Sequence, residues 1–171
     1  MDKTKSDILW KNFNIIMEKL PSPGVLLVCG NKNEKENIIT IGWLTFGYLW
    51  NEPSVTILVR PSRFSYNLLK NNNHFTINVL SNEYFDKLSF CGSHSGAYCD
   101  KFEETKLTKV NSQLIPVSSI KESQIILECK TVFSNEILPE NLNDLYLAKY
   151  YSSEDYHTMF TANIVNLIKN N

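Results

Sequence analysis

The chain has 171 residues, a formal net charge of −1 and 43% apolar residues. This length suits one domain with a sizeable core, and the balanced charge offers no basic surface for nucleic acid. Apolar runs stay far below the ~20 residues that span a bilayer, and the first residues lack the apolar stretch of a signal peptide. The composition therefore predicts a globular, cytoplasmic protein that acts neither on nucleic acid nor in a membrane.

The predicted elements begin with an amphipathic helix within residues 1–20, whose periodic face runs from Ser6 to Leu20. Runs of apolar and β-branched residues predict strands at 24–30, 36–46, 54–60, 74–80, 124–133 and 156–168. Short helices are predicted at 62–71 and 82–92, and a short helix with a loop within 138–153. Strands joined mostly by hairpins favour one domain over 1–171, mainly β in the α+β class, with an antiparallel barrel over 21–168.

Both arginines of the chain, Arg60 and Arg63, lie where a predicted strand gives way to a helix, in the stretch "VRPSRFSYNLL". Ser62 is the predicted N-cap of that helix. Positive charge at a helix N-terminus is unfavourable unless an anion binds there, and free N–H groups with a bidentate arginine suit phosphate. The pattern indicates a phosphate site to which Ser62 or Ser65 adds a hydroxyl. The alternative is that the arginines pair with carboxylates or lie in solvent.

The four cysteines have no C-x-x-C spacing, and the three histidines form no H-E-x-x-H pattern. Neither a disulfide framework nor a metal site is therefore predicted. No G-x-G-x-x-G element is present, so a Rossmann nicotinamide site is not expected either.

Three segments carry a family resemblance. Residues 37–69 hold a Thr-x-Gly-Trp strand, a loop ending in proline, a second strand and then Arg-x-x-Arg with a hydroxyl residue. Residues 74–81, "HFTINVLS", contain Phe-x-x-Asn, and residues 90–102, "FCGSHSGAYCDKF", contain Cys-Gly-x-x-Ser-Gly-x-x-x-Asp-Lys-Phe. In order and spacing these segments resemble the flavin reductase-like, FMN-binding split-barrel family, close to its flavoredoxin branch. The match covers roughly residues 20–167.

The resemblance implies an antiparallel split β-barrel with short flanking helices that binds FMN and forms a homodimer. The flavin ring would contact Thr40, Gly42, Trp43, Leu44 and Thr45. The phosphate would contact Arg60, Ser65, Ser95, Gly96 and Lys101. Family members often carry arginine where this chain has Ala97, and His94 is the predicted substitute. His157, near the start of the last strand, is predicted to face the flavin edge and steer a substrate.

The function implied is an oxidoreductase that passes hydride from NAD(P)H to bound FMN and electrons onward to an acceptor or a redox partner protein. The chemistry belongs to the cofactor, so no side chain is expected to act as nucleophile or acid. The alternative is a flavoredoxin-type electron-transfer protein that does not oxidise NAD(P)H directly. A third possibility is a barrel that has lost its cofactor and serves as an interaction module.

Overall fold

The structure, a computed structural model, describes residues 3–170, with side chains for residues 10–170. Met1, Asp2 and Asn171, the ends of the predicted domain, lie outside the described residues. The helices are α1 (Lys3–Lys19), α2 (Phe64–Asn71), α3 (Phe85–Ser93), α4 (Lys101–Thr105) and α5 (Asp144–Tyr150). The strands are β1 (Val25–Asn31), β2 (Lys35–Ile41), β3 (Leu44–Leu49), β4 (Glu52–Val59), β5 (His74–Val79), β6 (Lys109–Asn111), β7 (Ser118–Ile120), β8 (Ile125–Glu136) and β9 (Thr158–Lys169).

Seven strands form one antiparallel sheet in the order β2-β1-β5-β8-β9-β4-β3. The strands at its two edges are consecutive in the chain, because β2 ends at Ile41 and β3 begins at Leu44. The three Cα–Cα steps between these residues reach about 11 Å at most, so the sheet must curl until its edges lie side by side. The two edge strands are connected by the covalent chain, and they are not paired by a ladder of backbone hydrogen bonds. The barrel is therefore split along this seam.

The predicted single strand at 36–46 is wrong, because the run breaks at Gly42 and Trp43 into two strands at opposite edges. At the break the backbone passes close to the end of α1. A Cβ placed on Gly42 would lie 3.1 Å from the carbonyl oxygen of Leu20. Glycine thus permits the close approach that sends the chain across the seam. Helix α1 also begins earlier than predicted, at Lys3.

Two hydrophobic cores explain why β1 is apolar without interruption. Its residues Val25 and Leu27 belong to the core inside the curled sheet. Their neighbours Leu26 and Val28 belong to a second core on the outer face. Because side chains alternate between the two faces of a strand, burying both faces requires a continuous apolar run. Helix α3 and the β6–β7 hairpin cover the outer core.

The short strands β6 and β7 were not predicted, because three residues carry too little periodic signal. They are held against the barrel by buried polar side chains. Glu36 accepts a hydrogen bond from the backbone N–H of Ser118 at 2.7 Å, and Asn78 accepts from that of Ile120 at 2.9 Å. Among the residues that the structure describes, no helix is long and apolar enough to cross a membrane.

Candidate functional site

A cavity of about 220 Å³ lies at the seam of the barrel. This seam cavity is lined by Ile39, Thr40, Ile41, Gly42, Trp43, Leu58, Val59, Arg60, Arg63 and His157. Strand β2 has a strand neighbour on one side only, and the β3–β4 ladder stops at Leu44 and Ile57. Backbone N–H and C=O groups on both sides of the seam therefore lie beyond the sheet ladders. Such a slot suits a flat ring with polar edges.

A second cavity of about 80 Å³ adjoins the first and shares Ile39 and Arg63 with it. This loop cavity is lined by Asn37, Ile39, Ser62, Arg63, Phe64, Ser65, Cys91, Gly92, Ser93, His94, Ser95, Gly96 and Lys101. Its walls are the start of α2, the end of α3 and the loop that leads to α4. The two cavities together give one continuous site with a flat compartment and a compact one.

The loop cavity carries uncompensated positive charge. Lys101 is only 4% exposed, and its ammonium donates to the carbonyl oxygen of Cys91 at 2.7 Å. Burial lowers the pKa of Lys101 below its usual value, and the nearby Arg63 adds to that effect. Within the described part of the chain, neither cation forms an ion pair with a carboxylate. A buried cation without a counter-charge costs folding free energy, and an anion in the cavity would offset that cost.

The start of α2 differs from the prediction. The N-cap residue is Arg63, without a side-chain cap. The prediction of Ser62 as the cap is wrong, because the helix begins at Phe64, which leaves Ser62 one residue before the N-cap. The Ser62 hydroxyl donates instead to the Asp155 carboxylate at 2.5 Å. Ser65 is fully buried, and its oxygen accepts from the Asn37 amide at 2.8 Å. Ser65 also lines the loop cavity.

Arg60 lines the seam cavity but not the loop cavity. Its guanidinium donates to the carbonyl oxygens of Asp155 and Tyr150, both at 2.8 Å, and lies 4.0 Å from the Asp155 carboxylate. Arg60 thus fastens the segment between α5 and β9. Of the two arginines, Arg63 stands where the cavities meet. Sequence spacing could not separate the two roles, because Arg60's partners lie 90 or more residues away along the chain.

The loop after α3 brings His94, Ser95 and Gly96 to the loop cavity, as a group with Lys101. A Cβ on Gly96 would lie 2.1 Å from the Asn37 side-chain oxygen, so only glycine fits there without displacing the amide that bonds Ser65. His94 is exposed and stacks on Phe90 with ring centroids 3.9 Å apart. The loop therefore closes the compact compartment with backbone and small side chains.

The predicted ring-contacting residues divide into two groups. Thr40, Gly42 and Trp43 line the seam cavity. Leu44 and Thr45 lie beyond the break and line a hollow beside α1, which shares Gly42, Trp43 and Leu58 with the seam cavity. Trp43 is 42% exposed and packs against His157 at 5.0 Å between ring centroids. Its indole thus forms a wall of the seam cavity.

Two titratable groups at the site are held neutral. Burial raises the pKa of the Cys91 thiol to about 11, so this thiol is protonated at neutral pH and is a poor nucleophile. Burial, with Arg60 close by, lowers the pKa of His157 to about 4. The Tyr151 hydroxyl lies 2.9 Å from Nδ1 of His157. Sequence reasoning missed both Tyr151 and Asn37, because nothing in their local patterns marks a buried polar contact.

The chain belongs to the flavin reductase-like family, which its match to a family model shows. The family model described as a flavin reductase like domain matches residues 17–171. A protein of Archaeoglobus fulgidus is 31% identical over 119 residues, which cover 70% of this chain and 66% of that protein. The chain thus spans about two thirds of the length of that relative.

Solved structures have the same fold. Flavoredoxin of Desulfovibrio vulgaris (Miyazaki F) aligns with a TM-score of 0.68 and 21% identity, over 86% of this chain and 69% of that chain. An FMN-binding protein from Thermus thermophilus, with bound 1-cyclohex-2-enone, aligns with a TM-score of 0.66 and 20% identity, over 86% of this chain and 71% of that chain. At these identities the likeness establishes the fold. The predicted family and the predicted antiparallel α+β split-barrel fold are confirmed.

Proposed function

We propose that the protein binds FMN in the two joined cavities and acts as an NAD(P)H-dependent flavin reductase-like oxidoreductase. The observation that carries the proposal is the pair of cations, Lys101 and Arg63, that face the loop cavity without a carboxylate partner among the described residues. When bound, FMN would supply the hydride-accepting and electron-transferring chemistry. The chain's residues bind and orient it.

The phosphate of FMN would lie in the loop cavity. Arg63 offers a bidentate fork, Lys101 an ammonium and Ser65 a hydroxyl. Two or three charge-assisted hydrogen bonds of about 1.5–3 kcal/mol each supply much of the ~8 kcal/mol of micromolar binding. Ser95 and Gly96 would close the compartment. His94 would supply the contact of the arginine that family members often carry at the position of Ala97. Arg60 is assigned to the wall of the ring compartment instead.

The isoalloxazine ring would lie in the seam cavity, against Thr40, Gly42 and Trp43 on one side and the end of β4 on the other. Backbone groups beyond the ladders would meet its polar edges. His157 would face the ring or a second substrate beside it. Leu44 and Thr45 remain candidates for ring contact, because their hollow shares Gly42 and Trp43 with the seam cavity.

The visible absorption spectrum tests this function. The purified protein is titrated with FMN, and NADH or NADPH is then added under argon. We expect the protein to take up FMN and its flavin band to bleach with one of the two nucleotides. FMN uptake without bleaching by either nucleotide would contradict the reductase and support a flavoredoxin-type carrier served by a redox partner protein. A protein that takes up no FMN would contradict the cofactor assignment and leave an interaction module.

We also propose that the protein is a homodimer. The tip of the β3–β4 hairpin and the outer end of β8 expose a compact apolar patch, formed by Tyr48, Leu49, Trp50, Val132 and Phe133, each 45% to 66% exposed. Trp50 packs on Phe133 with ring centroids 6.3 Å apart. A contiguous apolar patch of this kind is typical of an interface, and a second copy of the chain is the proposed occupant.

Trp50 allows a clean test of the dimer, because it has a φ of +50°, which is unfavourable for a bulky residue and tolerated by asparagine. Trp50→Asn should leave the fold as stable as before or more so. We expect it to weaken the dimer at least about tenfold, since a buried interface tryptophan contributes about 2 kcal/mol or more. Sedimentation equilibrium measures the association. A wild-type protein that is monomeric at micromolar concentration would contradict the proposal.

A further inference from the structure

We infer that Tyr151 holds His157 as a neutral hydrogen-bond donor to the seam cavity, so that this wall selects a ligand with an acceptor such as a carbonyl oxygen. Tyr151 would then be a positioning residue that acts through His157. The identity of the ligand rests on the proposed function, whereas the state of the imidazole does not. The positions of the protons on the two buried side chains decide which atom can donate to the cavity.

The two side chains form a buried, hydrogen-bonded pair. His157, immediately before β9, is 8% exposed, and Tyr151, just after α5, is 5% exposed. The Tyr151 hydroxyl lies 2.9 Å from Nδ1 of His157, and the two rings meet edge to face with an interplanar angle of 83°. Trp43 also packs against the imidazole, with its ring tilted at 42° to it. The position of the imidazole is therefore set from both sides.

The hydrogen-bonding capacity of the two side chains assigns the tautomer of His157. The phenol proton of Tyr151 needs an acceptor, and among the described residues Nδ1 of His157 is the polar atom recorded within hydrogen-bond distance of its oxygen. If Nδ1 carried the proton instead, the phenol O–H would be buried without an acceptor, which native proteins avoid. Nδ1 therefore accepts, and the imidazole proton sits on Nε2.

Nε2 has no hydrogen-bond partner among the residues that the structure describes, although its side chain is more than nine-tenths buried. His157 is one of the residues that line the seam cavity. Nε2 is not among the fully buried atoms without a partner, so its N–H is open to the cavity. A ligand that displaces solvent there keeps this hydrogen bond only if it offers an acceptor. A carbonyl oxygen supplies that acceptor without requiring charge.

The surrounding charges keep the imidazole neutral. Burial is the largest cause that lowers the pKa of His157, and Arg60 at the end of β4 lowers it further. Asp155, on the segment before β9, opposes them, and Arg63 before α2 adds a smaller lowering. Because the pKa falls to about 4, the donor is the neutral Nε2–H at every pH at which the protein is expected to work. An imidazolium, which would repel a cationic ligand, is not formed there.

Nitrogen-15 NMR of the flavin-free protein tests the assignment, because the chain has three histidines and His157→Gln identifies the signal. We expect the Nε2–H tautomer in excess and no titration of His157 above pH 5. Tyr151→Phe should lower the tautomer ratio by about tenfold, the effect of losing one hydrogen bond of ordinary strength. Tyr156→Phe is the matched control, since its ring stacks on Tyr151 at 5.2 Å while the hydroxyl that meets the imidazole is that of Tyr151. It should leave the tautomer ratio unchanged.

An Nδ1–H tautomer in the unmodified protein would overturn the inference, and so would an unchanged ratio in a folded Tyr151→Phe variant. If that variant does not fold, the tautomer of the unmodified protein decides alone. Adding FMN, and then benzamide as a carbonyl probe, separates the two sources of an acceptor. A shift of the Nε2–H signal with FMN assigns the flavin ring, and a shift only with benzamide assigns a second substrate. A signal that neither ligand moves would overturn the role in ligand selection. Because the tautomer is read without flavin, failure to bind FMN would contradict the proposed function and leave the tautomer result standing.

Discussion

Arg63→Ala is expected to weaken FMN binding about 10- to 100-fold while leaving riboflavin binding nearly unchanged. The guanidinium stands where the loop cavity meets the seam cavity, within reach of a phosphate and at the margin of the ring compartment. Losing a charge-assisted hydrogen bond costs about 1.5–3 kcal/mol, which corresponds to that range of affinity. Riboflavin has the same ring and no phosphate, so it reports the ring compartment alone. Flavin fluorescence titrations with both ligands measure the two constants.

Arg60→Ala is the matched control, because it removes the same side chain three residues earlier. Arg60 donates hydrogen bonds to the carbonyl oxygens of Asp155 and Tyr150. Its loss should therefore destabilise the segment that packs beside Trp43 and His157. We expect FMN and riboflavin to lose affinity by a similar factor. The assignment would be reversed if Arg60→Ala lost FMN alone and Arg63→Ala lost both ligands equally. That result would restore Arg60 to the phosphate, as predicted from the sequence.

Lys101→Met is expected to weaken FMN binding at least about tenfold and yet to leave the flavin-free protein as stable as before, or more stable. Burial lowers the pKa of Lys101, so the charged ammonium is disfavoured by folding. The cost is present below the folded-state pKa and vanishes above the ordinary value of 10.5. Methionine has a similar shape and no charge. It gives up the bond to the Cys91 carbonyl oxygen, which contributes about 1 kcal/mol.

Thermal unfolding with and without FMN separates the two effects. FMN should raise the unfolding temperature of the unmodified protein more than that of the Lys101→Met variant. The FMN affinity of the unmodified protein should decline as pH rises through the pKa of Lys101. The variant should lack that decline. Lys35→Met is the control, because Lys35 also reaches the loop, donating to the Gly96 carbonyl oxygen at 3.0 Å, but its side chain is exposed and screened. Equal FMN affinity in the Lys101→Met variant and the unmodified protein would contradict the proposed anion site in the loop cavity.

Much of the fold was predictable where local pattern and tertiary role agree. The apolar runs of β1 and β5 identify strands, because strands buried on both faces need uninterrupted apolar residues. Helix α2 was placed by its spacing, although it begins at Phe64 and not at the predicted Ser62. The break at Gly42 and Trp43 was missed, since the run remains apolar while the chain crosses from one sheet edge to the other.

The candidate site was predictable as a set of segments and not as a set of contacts. The Arg-x-x-Arg stretch and the loop around Ser95 and Gly96 do meet at the loop cavity, which the resemblance had implied. The choice between Arg60 and Arg63 could not be made from the sequence. It depends on Asp155, which lies 95 residues from Arg60 along the chain and captures its guanidinium in the folded structure.

By itself, the sequence determined the strand-rich architecture, the family and the segments proposed to supply a phosphate-binding and a ring-binding compartment. The architecture follows from hydrophobic period and turn residues, which act over a few residues at a time. The family and the segments follow from the resemblance in motif order and spacing. The tertiary structure alone decided which cation lacks a counter-charge, which strand ends face the seam, and which nitrogen of His157 lies beside the Tyr151 hydroxyl. Those outcomes depend on burial and on partners that only the closed barrel brings together, because charge and hydrogen-bond balance are settled in space and not along the chain.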